Sequence, residues 1–266
     1  MSIEFLPGRR KAVIAMAHIG ALPGAPLYDA DGGLDKLIED VVRDVEHLQD
    51  GGVDAIMFGN ENDRPYLLQA TPESIAAMTA VVSAIKPRLT VPFGVNYLWD
   101  PIASVAIGVA TGAAFVREIF TGVFASDMGV WAPDCAAPAR LRSNLGRMDL
   151  KMLFNINAEF AFPLDQRPIE LRAQSAVFSS LADAIAVSGP LTGQPVDASD
   201  LQKVAEAVPE VPVLANTGVT VDNVRAVLSV AAGCVIGTHL KLDGNTWNQV
   251  DADRVHRFMD VVESLR

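Results

Sequence analysis

Two neighbouring runs decide the fold, "VPVLANTG" at residues 211–218 and "GCVIGTHLK" at residues 233–241. In each run a short apolar stretch turns polar, at Asn216-Thr217-Gly218 in the first and at Gly237-Thr238 in the second. Between them, Val221, Val224 and Leu228 recur at helical spacing. A strand, a helix and a second strand in this order form one unit of a parallel sheet, whose buried strands are apolar on both faces.

The same unit repeats along the chain, because eight short apolar runs alternate with amphipathic segments. The predicted strands are Val13–His18, Asp54–Phe58, Pro92–Tyr97, Phe115–Ile119, Met152–Ile156, Ala184–Val187, Val211–Ala215 and Cys234–Gly237. Eight strand–helix units in 266 residues predict an α/β protein in which residues 1–266 form a single (β/α)8 TIM barrel. A doubly wound open sheet fits less well, since no G-x-G-x-x-G follows the first strand.

Composition excludes several classes of partner. The formal net charge of −11 repels nucleic acid and anionic membrane surfaces. No apolar run reaches the roughly 18 residues of a transmembrane helix, and the short apolar stretch at 12–19 is a predicted strand rather than a signal peptide. Cys135 and Cys234 match no metal-binding spacing. We therefore expect a cytoplasmic protein that acts on a small molecule, without integral membrane association.

Glycine and threonine at the ends of the last strands predict an anion site. In TIM barrels the loops after strands 7 and 8 often hold a phosphate, and small residues let backbone N–H groups approach it. Gly218, Gly237 and Thr238 occupy these loops, Gly189 ends strand 6, and Thr220 is predicted to begin the next helix. The alternative is that these residues only form the tight turns and caps that every barrel needs.

Glu118 is the most informative carboxylate because it lies inside "FVREIF", residues 115–120, where a charge is costly unless it is paired. A buried carboxylate with a raised pKa could act as a general base, whereas a structural ion pair is the alternative. Adjacent strand residues point to opposite faces, so one of Arg117 and Glu118 is expected to face the barrel mouth and the other the helices. Glu61 and Asp127 are further candidate catalytic carboxylates.

Polar residues at the strand ends are candidate substrate ligands. They are His18, Asn96, Asn155, Asn157, Ser188, Asn216 and Lys241. Asn155 and Asn157 share one face of a strand and are expected to point to the barrel mouth, either toward substrate hydroxyls or into a core hydrogen-bond network. His18 has no histidine two residues away, so the paired-histidine metal site of barrel hydrolases is absent. Lys241 is interpreted as a Schiff-base lysine, a phosphate ligand or a solvated loop residue.

A long loop, "TGVFASDMGVWAPD" at residues 121–134, interrupts the alternation. Loops of this length without strands or helices are often lids or binding loops. Its apolar side chains Phe124, Met128 and Trp131 are expected to close over a ligand or to pack on a neighbouring subunit of a homo-oligomer.

Long motifs resemble the BtpA/SgcQ family. They are "GGVDAIMFGNE" (51–61), "PFGVNYLWDP" (92–101), "ATGAAFVREIFTGVFASDMGVW" (110–131), "VPVLANTGV" (211–219) and "GCVIGTHLKLDG" (233–244). The resemblance implies a barrel of the ribulose-phosphate-binding type. One branch of that family is named for photosystem I accumulation, and another is associated with sugar-utilisation gene clusters. "ALPGAP" (21–26) and "GNEND" (59–63) differ slightly from the commoner family spellings.

Three functional hypotheses follow. The first is an isomerase, epimerase or aldolase acting on a small phosphorylated, sugar-like metabolite, with proton transfer next to a carbonyl. The second is a non-catalytic assembly factor for a membrane complex such as photosystem I. The third is a nucleoside or glycoside hydrolase that uses Glu61 and Glu118 as acid and base. The sequence requires no cofactor; it permits a divalent cation on either glutamate, but no spacing demands one.

Overall fold

Eight parallel strands close into a barrel in the computed structural model, which describes Ile3, Leu6 and residues 10–266. All strands, numbered in chain order, are β1 (Ala12–His18), β2 (Ala55–Gly59), β3 (Phe93–Asn96), β4 (Phe115–Glu118), β5 (Phe124–Ser126), β6 (Gly129–Trp131), β7 (Lys151–Asn155), β8 (Ala161–Pro163), β9 (Ala184–Val187), β10 (Val213–Ala215) and β11 (Gly233–Ile236). The barrel order is β1-β2-β3-β4-β7-β9-β10-β11, with β11 pairing back to β1. Every predicted strand overlaps one of these eight, so the predicted TIM barrel is confirmed.

Helices separate the barrel strands along the chain. They are α1 (Gly33–Asp50), α2 (Pro72–Ile85), α3 (Pro101–Thr111), α4 (Ala136–Asn144), α5 (Ile169–Phe178), α6 (Ala198–Ala207), α7 (Val224–Val230) and α8 (Ala252–Glu263). Side-chain caps fix several of their starts; the Asp100 carboxylate, for example, accepts from the backbone N–H groups of Ile102 and Ala103 at the start of α3. Within the described residues, no helix combines the length and the apolar character needed to span a membrane.

The core has an outer layer, between strands and helices, and an inner layer inside the barrel. The inner layer includes Met57, Phe115, Leu153 and Leu214, all fully buried. Gly94 on β3 makes room for this layer, because a Cβ there would lie 2.2 Å from the Phe115 ring. Apolar side chains therefore fill the barrel interior below its mouth.

A small antiparallel sheet lies where the sequence predicted a long loop without strands, so that prediction is wrong. Strands β5 and β6 both fall within residues 121–134, and β8 joins them in the order β6-β5-β8. On one face, the ring of Phe124 stacks on Trp131 at 4.9 Å between centroids. On the other, the cross-strand row Val130, Ala125 and Phe162 carries two strongly exposed apolar side chains. Each strand has three residues, too few to show alternation in the sequence.

Candidate active site at the barrel mouth

A cavity of about 220 Å³ opens at the carboxyl ends of the barrel strands. Its wall has two chemically different sides. One side carries the ionisable side chains of His18, Glu61, Arg117 and Glu159, and the other is formed by the loops after β10 and β11. Because catalytic groups of this fold lie at the carboxyl ends of strands, this cavity is the candidate active site.

The loop side of the cavity is lined by residues whose backbone N–H groups lack partners. In the described part of the chain, no hydrogen bond uses the N–H of Gly218, Val219, Thr238 or His239 as donor. The Asn223 side chain fixes the first loop by donating to the Gly218 carbonyl at 2.9 Å and accepting from the Thr220 N–H at 2.8 Å. Free, fixed N–H groups on two adjacent loops suit a bound anion.

Of the four predicted phosphate ligands, three line this cavity and one does not. Gly218, Gly237 and Thr238 line it. Gly189 lies behind it, where its N–H donates to the Thr217 hydroxyl at 2.5 Å. The predicted helix start at Thr220 is wrong, because α7 begins only at Val224 and has seven residues. Any anion binding here therefore relies on loop N–H groups rather than on a helix terminus.

Gly218 is fixed in the left-handed region, with φ of 63°. A Cβ at this position would lie 2.1 Å from the backbone of Gln194 and Pro195. The glycine is thus required for the loop itself, and no side chain can be introduced here without disturbing the fold.

Arg117 is the buried cation at the charged side of the cavity. Its guanidinium donates to Asn216 Oδ1 at 2.9 Å and to Asn96 Oδ1. Asn96 in turn donates to Glu118 at 2.9 Å. These amides hold the guanidinium in one orientation at the centre of the barrel mouth.

Glu61 is the carboxylate with a free oxygen. It is 8% exposed, and its Oε2 atom has no hydrogen-bond partner among the described residues. Burial, aided by the nearby charges of Glu159 and Glu118, raises its pKa to about 7, although Arg117 opposes the shift. A carboxyl that titrates near neutrality can both accept and return a proton.

His18 lies beside Glu61, with Nε2 at 3.8 Å from the carboxylate. Burial lowers the His18 pKa well below 6.5, and the positive charges of Lys241 and Arg117 lower it further. Near neutral pH the imidazole is therefore uncharged and provides a hydrogen-bonding wall rather than a cation.

Glu118 is buried and already satisfied. One of its oxygens accepts from Asn96 Nδ2 at 2.9 Å and from the Trp99 N–H at 2.8 Å, and the other contacts the Ile119 N–H. Burial raises its pKa to about 6, while these hydrogen bonds act in the opposite direction. Both Glu118 oxygens therefore have hydrogen-bond partners within the protein, whereas Glu61 keeps one oxygen without a partner among the described residues.

Arg117 and Glu118 both face the mouth, so the expectation that they point to opposite faces is wrong. Both contact Asn96, and both line a small chamber beside the cavity. Glu118 is the last residue of β4, where the pleat that separates neighbouring side chains ends.

Glu159 completes the charged side; the sequence places it at a strand end but assigns it no role. It accepts from the Thr192 hydroxyl at 2.8 Å and from Asn216 Nδ2 at 3.3 Å, and burial raises its pKa. Thr192 and Gly193 of the loop after β9 also line the cavity. The sequence signal for Arg117 was its charge within an apolar run, and the signal for Glu159 was its position just after a predicted strand.

The remaining predicted amides form a network around the cavity. Asn155 donates to the Ser188 hydroxyl at 3.3 Å and lines the small chamber, and Asn157 bonds the Ser188 backbone at both N–H and carbonyl. Asn216 donates to the same hydroxyl at 2.8 Å and lines the main cavity. Among these residues, Asn155 and Asn216 reach open space, whereas Asn96, Asn157 and Ser188 hold other site residues.

Two predicted residues lie away from the cavity. Lys241 is buried and pairs with Asp44 of α1 at 2.6 Å, so it is neither solvated nor directed at the cavity. Asp127 is exposed in the turn between β5 and β6. In the described part of the chain, no cluster of three or more His, Cys, Asp or Glu side chains is arranged to hold a metal ion.

Comparison with known proteins gives matches over nearly the whole chain. The model of the BtpA family matches residues 9–264. The putative sgc region protein SgcQ of Escherichia coli is 47% identical, with 97% of each chain covered. The photosystem I biogenesis protein BtpA of Synechocystis is 30% identical, with 94% of this chain and 87% of the relative covered.

A solved structure with the same fold is (S)-3-O-geranylgeranylglyceryl phosphate synthase from Thermoplasma acidophilum, in complex with its substrate sn-glycerol-1-phosphate. Its TM-score is 0.61 at 16% sequence identity, and the alignment covers 99% of both chains. At this identity the likeness concerns the barrel fold.

Proposed function

The chain belongs to the BtpA family, and from this premise we propose that it is an enzyme acting on a small phosphorylated, sugar-like metabolite. The proposed reaction is proton transfer next to a carbonyl, as in an isomerase, an epimerase or an aldolase. One observation carries the proposal: a single cavity joins free backbone N–H groups on the loops after β10 and β11 to a buried carboxyl whose pKa is about 7.

The loop side would hold the phosphate. Gly218, Gly237 and Thr238 bring their backbones to the cavity, and the first two have no side chain to block an anion. The structural relative bound to sn-glycerol-1-phosphate supports this part of the proposal by analogy. The cavity, at about 220 Å³, is below the roughly 300–1,000 Å³ of drug-sized sites, which favours a small metabolite.

The charged side would perform the proton transfer. Glu61 would take the proton from the carbon next to the carbonyl, because it has a free oxygen and titrates near neutrality. Arg117 would stabilise the negative charge that develops on the carbonyl oxygen, since Asn96 and Asn216 already fix its orientation. Glu118 would keep Asn96 and the Trp99 backbone in place.

A thermal-shift screen with inorganic phosphate, sugar phosphates and nucleosides tests the proposal. A ligand at 100 times its dissociation constant stabilises the folded state by about 2.7 kcal/mol, a readily measured shift. We expect phosphate and at least one sugar phosphate to stabilise the wild type. Thr220→Asp, which adds a carboxylate to the cavity wall at a residue of similar size, should abolish both shifts.

Ala226→Asp is the matched control, because it adds the same charge on an exposed position of α7 outside the cavity. This variant should respond as the wild type does, and circular dichroism should show both variants folded. If no phosphate compound shifts the melting temperature of the wild type, the proposal is contradicted. A non-catalytic role, such as the name of the Synechocystis relative suggests, would then be favoured. Stabilisation by nucleosides alone would favour a hydrolase.

A further inference from the structure

A side chamber of about 30 Å³ adjoins the main cavity. The two share Glu61, Arg117, Glu159 and Thr192, so the chamber opens from the charged side of the site. Trp99 and Asn155 line the chamber but not the main cavity. The proposed function does not use this space.

Buried polar atoms of the chamber residues lack partners. Among the described residues, nothing bonds Asn155 Oδ1, Trp99 Nε1 or Arg117 Nε, although these residues are 4%, 6% and 5% exposed. Buried polar groups nearly always have a hydrogen-bond partner. One acceptor and two donors without partners around one chamber indicate that a polar ligand group enters it.

The backbone holds the chamber wall in an unusual conformation. Trp99 and Phe160 both line it, and both are left-handed, with φ of 73° and 55°. The Trp99 N–H is held by Glu118 at 2.8 Å, and the Phe160 N–H by the Pro190 carbonyl at 2.9 Å. Left-handed bulky residues that flank one space support a functional rather than an accidental arrangement.

We propose that this chamber takes one uncharged hydroxyl group at the end of the substrate remote from its phosphate, an inference that rests on the proposed function. A hydroxyl both donates and accepts hydrogen bonds, so it can donate to the Asn155 amide oxygen and accept from the Trp99 indole N–H. The chamber is large enough to admit a water-sized group, so a single hydroxyl group fits it.

The charged side chains of the chamber wall indicate which substrates can bind. Three carboxyl groups, those of Glu61, Glu118 and Glu159, line the chamber together with the single guanidinium of Arg117. A second phosphate or a carboxylate at this end would meet like charge in a buried space. We therefore infer that the substrate is a monophosphate with a hydroxylated tail, and that this end of the site disfavours a second phosphate or a carboxylate.

Isothermal titration calorimetry with inorganic phosphate, ribose 5-phosphate, fructose 6-phosphate and fructose 1,6-bisphosphate tests the inference. The wild type should bind at least one sugar monophosphate on the order of tenfold more tightly than inorganic phosphate, and more tightly than the bisphosphate. Trp99→Phe removes the indole donor, and Asn155→Leu removes the amide acceptor. Each should reduce the preference for the sugar monophosphate by about three- to tenfold and leave phosphate binding unchanged.

Trp131→Phe is the matched control. Its indole N–H already donates to the Ser126 hydroxyl at 3.3 Å, and the residue does not line the chamber, so the preference should persist. Phosphate binding without any preference for a sugar monophosphate, or a preference that survives in Trp99→Phe, overturns the inference while the proposed function stands. If the wild type does not bind phosphate at all, both fail.

Discussion

At the scale of single residues, Glu61 combines burial, a free oxygen and two carboxylate neighbours. Glu61→Gln keeps the shape of the side chain but removes the base. Once a substrate is known, we expect turnover to fall by about 10² or more, with phosphate binding retained. Steady-state kinetics and the thermal shift with phosphate measure these two effects separately.

Glu210→Gln is the control for this substitution, since it makes the same change on an exposed surface residue. Its turnover should match that of the wild type. If Glu61→Gln retains turnover, another group acts as the base, and Glu159 is the next candidate because it also lines the cavity.

The raised pKa of Glu61 also links folding to pH. The carboxyl titrates near its ordinary 4.5 in the unfolded chain and near 7 in the folded protein, so the folded state binds more protons between these values. The contribution of the Glu61 carboxyl to the free energy of unfolding is fully present below about pH 4.5 and is lost as the pH rises through 7. Glu61→Gln should therefore gain stability relative to the wild type between pH 5 and 8, by up to about 3 kcal/mol.

Urea unfolding of both proteins across this pH range measures the difference. A difference between variant and wild type that is the same at both ends of the range would show that the folded protein does not raise the Glu61 pKa.

At the scale of elements, the loop after β10 packs directly against the loop after β9. Gly218→Ala would require a left-handed alanine and would push its Cβ to 2.1 Å from the Gln194 and Pro195 backbone. We expect it to destabilise the protein by about 3 kcal/mol or more, since strain and overlap with a rigid backbone add. Urea unfolding gives the value.

Gly52→Ala separates the strain of a left-handed alanine from the steric overlap of its Cβ with a neighbouring backbone. Gly52 has φ of 82°, yet a Cβ there would have open space within 4 Å. In this variant the free energy of unfolding should fall by only about 1 kcal/mol, because the left-handed conformation is the only source of strain. Equal losses in the two variants would mean that the loop after β9 moves away and that the contact seen here does not constrain it.

The barrel strands could be read from the sequence because burial on both faces makes each of them a continuous apolar run. The pattern also located Gly218, Gly237 and Thr238 at the mouth, since they end such runs. The small sheet could not be read, because three-residue strands show no periodicity. The roles of Glu159 and Thr192 depend on loops that meet only after folding, and the Lys241–Asp44 pair joins residues 197 positions apart.

At the scale of the whole molecule, Lys241 ties the loop after the last barrel strand to the first helix. Its ammonium lies 2.6 Å from Asp44, and both side chains are buried. Asp44 also accepts from the Val250 N–H at 2.7 Å, so the pair fixes the connection to α8. Lys241→Met would leave a buried carboxylate without its cation and should destabilise the protein by about 3–5 kcal/mol.

Lys203→Met is the control for this prediction, because Lys203 pairs with Asp200 at 3.6 Å on the exposed surface of α6. It should change the free energy of unfolding by less than about 1 kcal/mol. Similar small losses in both variants would show that the barrel closes without the Lys241–Asp44 pair.

The closed barrel has no edge strands, whereas the small β6-β5-β8 sheet has two, and we expect these edges to promote association at high concentration. Val130 on β6 and Phe162 on β8 are 69% and 74% exposed. Strand edges that carry exposed apolar side chains promote aggregation, and lysine on such an edge prevents it. Val130→Lys and Phe162→Lys should each raise the protein concentration at which light scattering first increases, with the melting temperature unchanged. If scattering increases at the same or a lower concentration in these variants, a different surface is responsible for aggregation.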